Sequence, residues 1–224
     1  MMLVVRAFAG FTFLFALVAT AFFGAAGTPN DSRGWTTLAV FFGCAALMTV
    51  WLWFRDKALL ERRVKAAPTA EPDVTQKIIQ ALTSVAFLSI FVTPGLDRRF
   101  SWSAVPPAVS LAGAVMIALG FVIIFFTFRE NTFTAGTIEV EDGQHVIDSG
   151  PYAVVRHPMY AGALVMVAGL PLALGSWWGL IPAALIVPVL VWRLIDEEVF
   201  LKANLAGYGD YLGHVRYRLA PLIW

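Results

Sequence analysis

The sequence is poor in charged residues, cysteine and histidine. Asp, Glu, Lys and Arg make up 14% of its 224 residues and leave a net charge of +1, so no overall field attracts a polyanion. A single cysteine, Cys44, cannot form a disulfide within the chain. The three histidines show no paired zinc-ligand spacing, and no G-x-G-x-x-G string joins a strand-like to a helix-like segment. These absences argue against a disordered chain, a nucleic-acid partner, a metal centre and a soluble nucleotide-binding fold.

The sequence is rich instead in long uncharged windows, and 59% of its residues are hydrophobic. A helix needs roughly 20 consecutive apolar residues to cross the hydrocarbon core of a membrane. The first four windows each fit one crossing, whereas the last is too long for a single helix. The windows are Ala7–Asn30, Gly34–Phe54, Ile78–Leu96, Phe100–Phe128 and His157–Trp192.

The last window carries glycine and interfacial aromatic residues near its middle, at Gly175 to Gly179. This composition predicts a helical hairpin whose second arm continues beyond the membrane. The first window is longer than the apolar region of a signal peptide and further crossings follow it, so we interpret it as a retained helix. The sequence therefore predicts an all-α integral membrane protein with about six crossings, the hairpin counting as two.

The distribution of positive charge predicts the orientation of these crossings. With the N-terminus in the cytoplasm, all Lys and Arg residues except Arg33, Arg98 and Arg99 fall on the cytoplasmic side, as the positive-inside rule favours. The external loops are then short, so a sizeable site fits only at the cytoplasmic face. The stretch from Arg55 to Lys77 resembles a solvated linker whose basic residues face lipid headgroups. The chain up to about Leu96 offers no other polar grouping suited to chemistry.

The segment between Arg129 and His157 is polar and leads into Arg156-His157-Pro158-Met159-Tyr160. Pro158 suits the first turn of a helix, and the unpaired amides of that turn attract anionic groups. Together with Tyr152, these residues could bind a polar ligand at the edge of the membrane. They could equally be interfacial anchors, because aromatic and basic side chains collect there in many membrane proteins.

A second polar group follows the hairpin. Arg193 and Glu197 are four residues apart, so in a continuous helix they share one face. Such a pair could bind a zwitterionic ligand, or it could be an ion pair worth a few tenths of a kcal/mol, with Glu198 and Lys202 as a second pair.

The order of these motifs resembles the isoprenylcysteine carboxyl methyltransferase family and the related phospholipid N-methyltransferases. The similar strings lie between about Arg129 and Trp224. They are Gly150-Pro151-Tyr152, Arg156-His157-Pro158-Met159-Tyr160, Glu197-Glu198 with Leu201, Gly207-Tyr208 with Tyr211, and Arg218 to Pro221. The resemblance implies a methyltransferase core over residues 101–224, with residues 1–100 as transmembrane scaffold helices.

The resemblance further implies an enzyme that takes S-adenosylmethionine from the cytoplasm and methylates a lipophilic or lipidated substrate from the membrane. Arg193 matches the arginine that meets the substrate carboxylate, and with Glu197 it forms the expected catalytic pair. The expected cofactor-binding residues are His145, Val146, Ile147, Asp148, Tyr152, His157, Pro158, Met159, Tyr160 and Glu197. Asp148 departs from the family pattern, where an apolar residue is frequent, and nothing in the chain implies a lipid-modified cysteine protein.

The acceptor and the reaction class leave alternatives. A carboxylate acceptor is already ionised at neutral pH and needs no base, whereas an amine or thiol would need deprotonation by His157, Glu197 or a tyrosine. A second class is the NADPH-dependent sterol-type reductases, which are similar in their C-terminal halves but usually have asparagine at the position of Met159. A third is a non-catalytic membrane scaffold, in which the motifs serve packing and anchoring only.

Overall fold

The computed structural model describes residues 2–65, 74–134 and 137–224. These residues form helices and irregular segments, with no residue of the described ranges in a β-strand. The α-helices in chain order are α1 (Met2–Ala26), α2 (Ser32–Arg55), α3 (Lys57–Lys65), α4 (Val74–Phe100), α5 (Pro107–Glu130), α6 (Pro158–Ala173), α7 (Leu180–Asn204) and α8 (Tyr208–His214).

The long helices follow the uncharged windows of the sequence. Helices α1, α2, α4 and α5 are long and apolar enough to cross a membrane, and α6 is a shorter apolar helix. The predicted hairpin is confirmed, because α6 and α7 are joined by residues 174–179, where Gly175 takes a positive φ of 79°. Large apolar side chains such as Phe8, Leu47 and Leu111 are exposed on the outer faces of the helices, as lipid contact requires. The prediction of an all-α membrane protein is therefore confirmed.

The interpretation of Arg55 to Lys77 as a solvated linker is wrong over its described ends. Asp56 caps α3 by accepting a hydrogen bond from the amide of Leu59 at 2.9 Å, and Leu59 and Leu60 are buried. Lys77 lies in the first turn of α4. Apolar residues that pack a short amphipathic helix onto the bundle outweigh the high charge of this stretch. Pro68 and Pro72, which also supported the interpretation as a linker, lie outside the described residues.

Helices α5 and α6 are packed with their backbones in contact. Gly113 and Gly120 are seven residues apart on α5, and Gly162 and Gly169 are seven apart on α6. A Cβ atom on Gly120 would lie 2.6 Å from the carbonyl oxygen of Gly162, and one on Gly169 would lie 2.6 Å from that of Gly113. This antiparallel glycine contact lets α6 begin close to the end of α5, where the polar segment lies.

At the end of the bundle opposite the polar segment, a buried carboxylate connects two turns by hydrogen bonds. Asp97, 2% exposed, accepts hydrogen bonds from the Ser103 amide at 2.7 Å and from the hydroxyls of Ser103 and Ser176. The Ser176 hydroxyl also accepts from the Gly179 amide at 3.0 Å. The turns after α4 and α6 are thereby tied together.

We expect Ser176→Ala to destabilise the protein by about 1–3 kcal/mol, since it removes one hydrogen bond from a buried carboxylate and takes the hydroxyl acceptor away from the Gly179 amide. A thermal melt in detergent measures the effect. Ser84→Ala is the matched control, because the exposed Ser84 hydroxyl donates only to the Gln80 carbonyl within its own helix. Equal melting temperatures for the two variants would contradict this role of Ser176.

Candidate active site

A cavity of about 840 Å³, including its open mouth, lies between the polar segment that follows α5 and the C-terminal half of α7 with α8. Leu205 and Leu201 supply apolar lining beneath the polar residues. The cavity therefore joins the two motif regions, which are separated by the whole α6–α7 hairpin.

Most of the residues that the sequence predicts as a site line this cavity. They are His145, Val146, Ile147, Tyr152, His157, Pro158, Met159, Tyr160, Arg193 and Glu197. Asp148 does not: it is exposed and outside the lining, at the position where the sequence departs from the family pattern.

The start of α6 and the turn before it shape one wall. Pro158 occupies the first turn of α6, as the sequence predicts. The chain reaches this turn through a 3-10 helix, Gly150–Ala153, which begins at Gly150 with a φ of 55°. A Cβ atom on Gly150 would lie 2.9 Å from the carboxylate of Glu130, whose oxygen accepts a hydrogen bond from Ser149. Glycine at this position lets the segment pass close to the end of α5 and present Tyr152 to the cavity.

Four of the five tyrosines of the chain line the cavity: Tyr152, Tyr160, Tyr208 and Tyr211. Tyr211 donates to the Tyr152 carbonyl at 2.9 Å, and the Tyr152 hydroxyl accepts from the side-chain amide of Asn131 at 3.1 Å. Burial raises the pKa values of Tyr152, Tyr208 and Tyr211, and nearby carboxylates raise that of Tyr208 further. These phenols are neutral at physiological pH, so they offer aromatic faces and hydroxyl groups but no resting base.

Tyr160 connects the two predicted catalytic residues. Its hydroxyl donates to a Glu197 carboxylate oxygen at 2.6 Å and accepts from the Arg193 guanidinium at 3.2 Å. Arg193 is 9% exposed yet lines the cavity, so its charge is directed inward. A cation, an anion and a phenol thus meet at the inner end of the cavity, where they can hold a ligand with groups of both signs.

Glu198 faces away from this cluster and binds three basic side chains. It accepts from Arg156 at 3.2 Å and from Arg218 at 3.0 Å, and the His157 ring nitrogen lies 3.4 Å away. Burial alone would raise the pKa of Glu198, but the bonds from His157, Arg218 and Arg156 outweigh it and lower the pKa to about 2. The sequence interpretation of Glu198 as one half of a surface pair with Lys202 missed this buried network.

The same network attaches the C-terminal segment to the cavity wall. Arg156 also donates to the carbonyls of Val215 at 2.7 Å and Leu212 at 2.8 Å. The backbone amide of His157 donates to the Arg218 carbonyl at 2.9 Å. These contacts hold the C-terminal segment in place and thereby position α8 and its tyrosines.

The N-terminal half contributes two buried polar residues that the sequence analysis passed over. Gln76, 5% exposed at the start of α4, accepts from Arg193 at 2.9 Å and donates to Asp196 at 2.9 Å. Arg63 of α3 lies with its guanidinium 5.0 Å over the Phe128 ring and 3.6 Å from the Met159 sulfur. The first half of the chain therefore brings polar groups into contact with Arg193 and Met159, two of the predicted site residues. In the sequence, the only signal for Gln76 and Arg63 is their position at the polar ends of helices. Polar residues are common at helix ends, so this signal does not single them out.

The charges of the ionisable groups that line the cavity nearly cancel. Arg156 and Arg193 are balanced by Glu139 and Glu197, with His145 and His157 beside them. Such a lining suits a zwitterionic ligand with an apolar or aromatic part better than a polyanion, whose charge would require an excess of cations.

Known proteins are similar to the part of the chain that forms the cavity. Residues 109–207 match the phospholipid methyltransferase family, a range that begins in α5 and includes every residue predicted for the site. The chain is also 30% identical over 137 residues to the Delta(14)-sterol reductase of Mus musculus, covering 53% of this chain and 33% of that protein. The chain thus spans about a third of the length of this curated relative. The matched region, which is less than half of the chain, is therefore similar to phospholipid methyltransferases, and the chain has helices long and apolar enough to cross a bilayer.

Proposed function

We propose that this protein is an S-adenosylmethionine-dependent methyltransferase whose acceptor is a lipophilic carboxylate drawn from the membrane. The observation that carries the proposal is that Tyr152 and Glu197, from segments on either side of the hairpin, line one cavity. Had they faced separate regions, no single ligand could contact both.

The residues around the cavity fit this cofactor. A sulfonium cation interacts favourably with aromatic faces, and four neutral tyrosines line the space. Glu197 offers an anion for the amino group of the cofactor, and the start of α6 offers backbone amides for its carboxylate. The residues that we propose to hold it are His145 to Ile147, Tyr152, His157 to Tyr160 and Glu197.

The chemistry asks mainly for alignment and exclusion of water. Bound S-adenosylmethionine would supply a methyl group that forms an O–CH₃ bond with the acceptor carboxylate as the S–CH₃ bond breaks and its electron pair stays on sulfur. Arg193 orients the acceptor, and holding two reactants in line is worth several kcal/mol. A carboxylate acceptor needs no base, which suits a cavity whose tyrosines are neutral and whose His157 ring faces Glu198 at 3.4 Å.

The cavity end of the bundle is proposed to face the cytoplasm. When the loops are assigned to alternate sides of the membrane from the sequence, all Lys and Arg residues except Arg33, Arg98 and Arg99 fall on the side of the cavity. This distribution agrees with the positive-inside rule. We further propose residues 101–224 as the catalytic core and residues 1–100 as a scaffold that also contributes to the inner end of the site.

Removing either of two cavity side chains should weaken cofactor binding. We expect Glu197→Ala and Tyr152→Ala each to weaken S-adenosylmethionine binding at least tenfold in calorimetric titration of the purified protein, because each loses a charged or aromatic contact worth about 1.4 kcal/mol or more. Asp142→Ala, at an exposed turn of the same loop, is the matched control and should retain the wild-type affinity.

Unchanged S-adenosylmethionine affinity in both cavity variants would refute the site.

Asp148→Ala tests the departure from the family pattern. Because Asp148 is exposed, we expect a smaller loss of S-adenosylmethionine affinity than in either cavity variant. A loss as large as that of Glu197→Ala would return Asp148 to the cofactor site.

Two other functions have specific support. The phospholipid methyltransferase match favours an amine acceptor, and the similarity to Delta(14)-sterol reductase favours an NADPH-dependent reduction. Titrating NADPH beside S-adenosylmethionine separates reduction from methyl transfer. Supplying phosphatidylethanolamine vesicles and a farnesylated N-acetylcysteine with labelled methyl donor then separates an amine from a carboxylate acceptor.

A further inference from the structure

We infer that Gln76, on the first turn of α4, is a positioning residue that holds Arg193 for an anionic acceptor. The inference rests on the proposed function and deepens it, because it places part of the acceptor site in the half of the chain outside the family match at residues 109–207. It also gives the site a physical basis for preferring a negatively charged acceptor group.

The geometry joins Gln76 to charges of both signs. Its carbonyl oxygen accepts from Arg193 Nη1 at 2.9 Å, and its amide nitrogen donates to Asp196 Oδ2 at 2.9 Å. An uncharged amide offers an acceptor to a cation and a donor to an anion at once. Gln76 therefore fixes the orientation of Arg193 without adding a charge of its own.

Burial makes this orientation consequential. Gln76 is 5% exposed and Arg193 is 9% exposed, so water competes little for either side chain. Arg193 donates through Nη1 to Gln76 and through Nε to the Tyr160 hydroxyl at 3.2 Å. These two contacts, from opposite halves of the chain, hold the planar guanidinium at the cavity wall.

Neutrality of Gln76 is the feature that matters for the acceptor. A carboxylate at this position would form an ion pair with Arg193 and would stand beside Asp196, a group of like charge. The positive field that Arg193 directs into the cavity would then be largely cancelled. An amide adds no negative charge of its own to oppose that field.

The experiment compares an anionic ligand with a neutral one of the same shape. A farnesylated N-acetylcysteine and its C-terminal carboxamide are titrated into wild type, Gln76→Glu, Gln76→Ala and Lys77→Ala, the last a control at the adjacent exposed position. We expect the wild type and the control to prefer the carboxylate. We expect both Gln76 variants to bind the carboxylate at least tenfold more weakly, with the carboxamide and S-adenosylmethionine affinities changed less than threefold.

Equal loss for the carboxylate and the carboxamide, or unchanged affinity for both, would overturn the positioning role. Gln76→Glu preserves the side-chain shape, so it covers the case in which Gln76→Ala fails to fold, and thermal melts identify that case. A wild type that binds the two ligands equally would overturn the anionic acceptor. A wild type that binds no S-adenosylmethionine would overturn the proposed function itself, an outcome distinct from a selective failure of the Gln76 variants.

Discussion

Replacement of Gly120 by leucine is expected to lower the melting temperature by about 10 °C or more, or to prevent folding. A Cβ atom at this position would lie 2.6 Å from the Gly162 carbonyl oxygen and 2.7 Å from Met166 Cβ. Backbone cannot move aside as a flexible side chain can, so α5 and α6 must separate. Overpacking costs about 1–3 kcal/mol when only side chains shift, and displacement of two helices costs more. For a chain of this size each kcal/mol corresponds to roughly 2–4 °C.

The same substitution should also damage the site at a distance. α6 begins at Pro158, and His157 to Tyr160 line the cavity, so moving α6 away from α5 displaces them. We expect S-adenosylmethionine affinity to fall together with stability in any Gly120→Leu protein that folds.

Gly43→Leu provides a matched control. Gly43 lies in α2, and a Cβ atom there would meet nothing within 4 Å. Leucine is favoured in an apolar helix, so the control should melt at or above the wild-type temperature. A Gly120→Leu protein as stable as this control would show that the backbones of α5 and α6 are not in contact.

The positions of the long helices could be predicted from the sequence because one strong physical rule decides them. A window without charge must be buried in lipid or protein, and Gly175 to Gly179 interrupts the only window too long for one helix. The glycine contact was harder to foresee. The two seven-residue spacings are visible on α5 and α6, but spacing alone does not say which helix faces which.

The stretch after α2 shows where composition misleads. Arg62, Arg63 and Lys65 make it strongly basic, yet Leu59 and Leu60 are buried and the segment is helical. Two adjacent apolar residues contribute the buried contacts of this helix, and an average composition over the whole stretch conceals them.

Adjacent carboxylates show the limit of sequence reasoning at the site. Glu197 and Glu198 are consecutive, so on a helix they point about 100° apart. Glu197 lines the cavity, whereas Glu198 binds Arg156 and Arg218. The resemblance to a known family indicated Glu197, but the partners of Glu198 come from chain positions 42 and 20 residues away, which no local pattern contains.

Replacement of Glu198 by glutamine is expected to destabilise the protein by about 3–5 kcal/mol, because it leaves Arg156 and Arg218 partly buried without their counter-ion. Their side chains are 12% and 32% exposed, so Arg156 bears most of the cost. The C-terminal segment would loosen from α6, and Tyr208 and Tyr211 would lose their position beside the cavity. A thermal melt and a cofactor titration should therefore both show a loss. Asp210→Asn, an exposed acidic residue of α8, serves as the control.

The pH dependence of that loss separates the ion network from simple packing. The pKa of Glu198 is lowered from 4.5 to about 2 in the folded protein, so the unfolded chain binds its proton first as pH falls. The stabilisation by the carboxylate is fully present above about pH 4.5 and disappears as pH falls towards 2. We expect the gap in melting temperature between wild type and Glu198→Gln to be constant from pH 7 to 5 and to narrow below pH 4.5. A gap that stays constant down to pH 3 would show that the carboxylate charge does not hold the C-terminal segment in place.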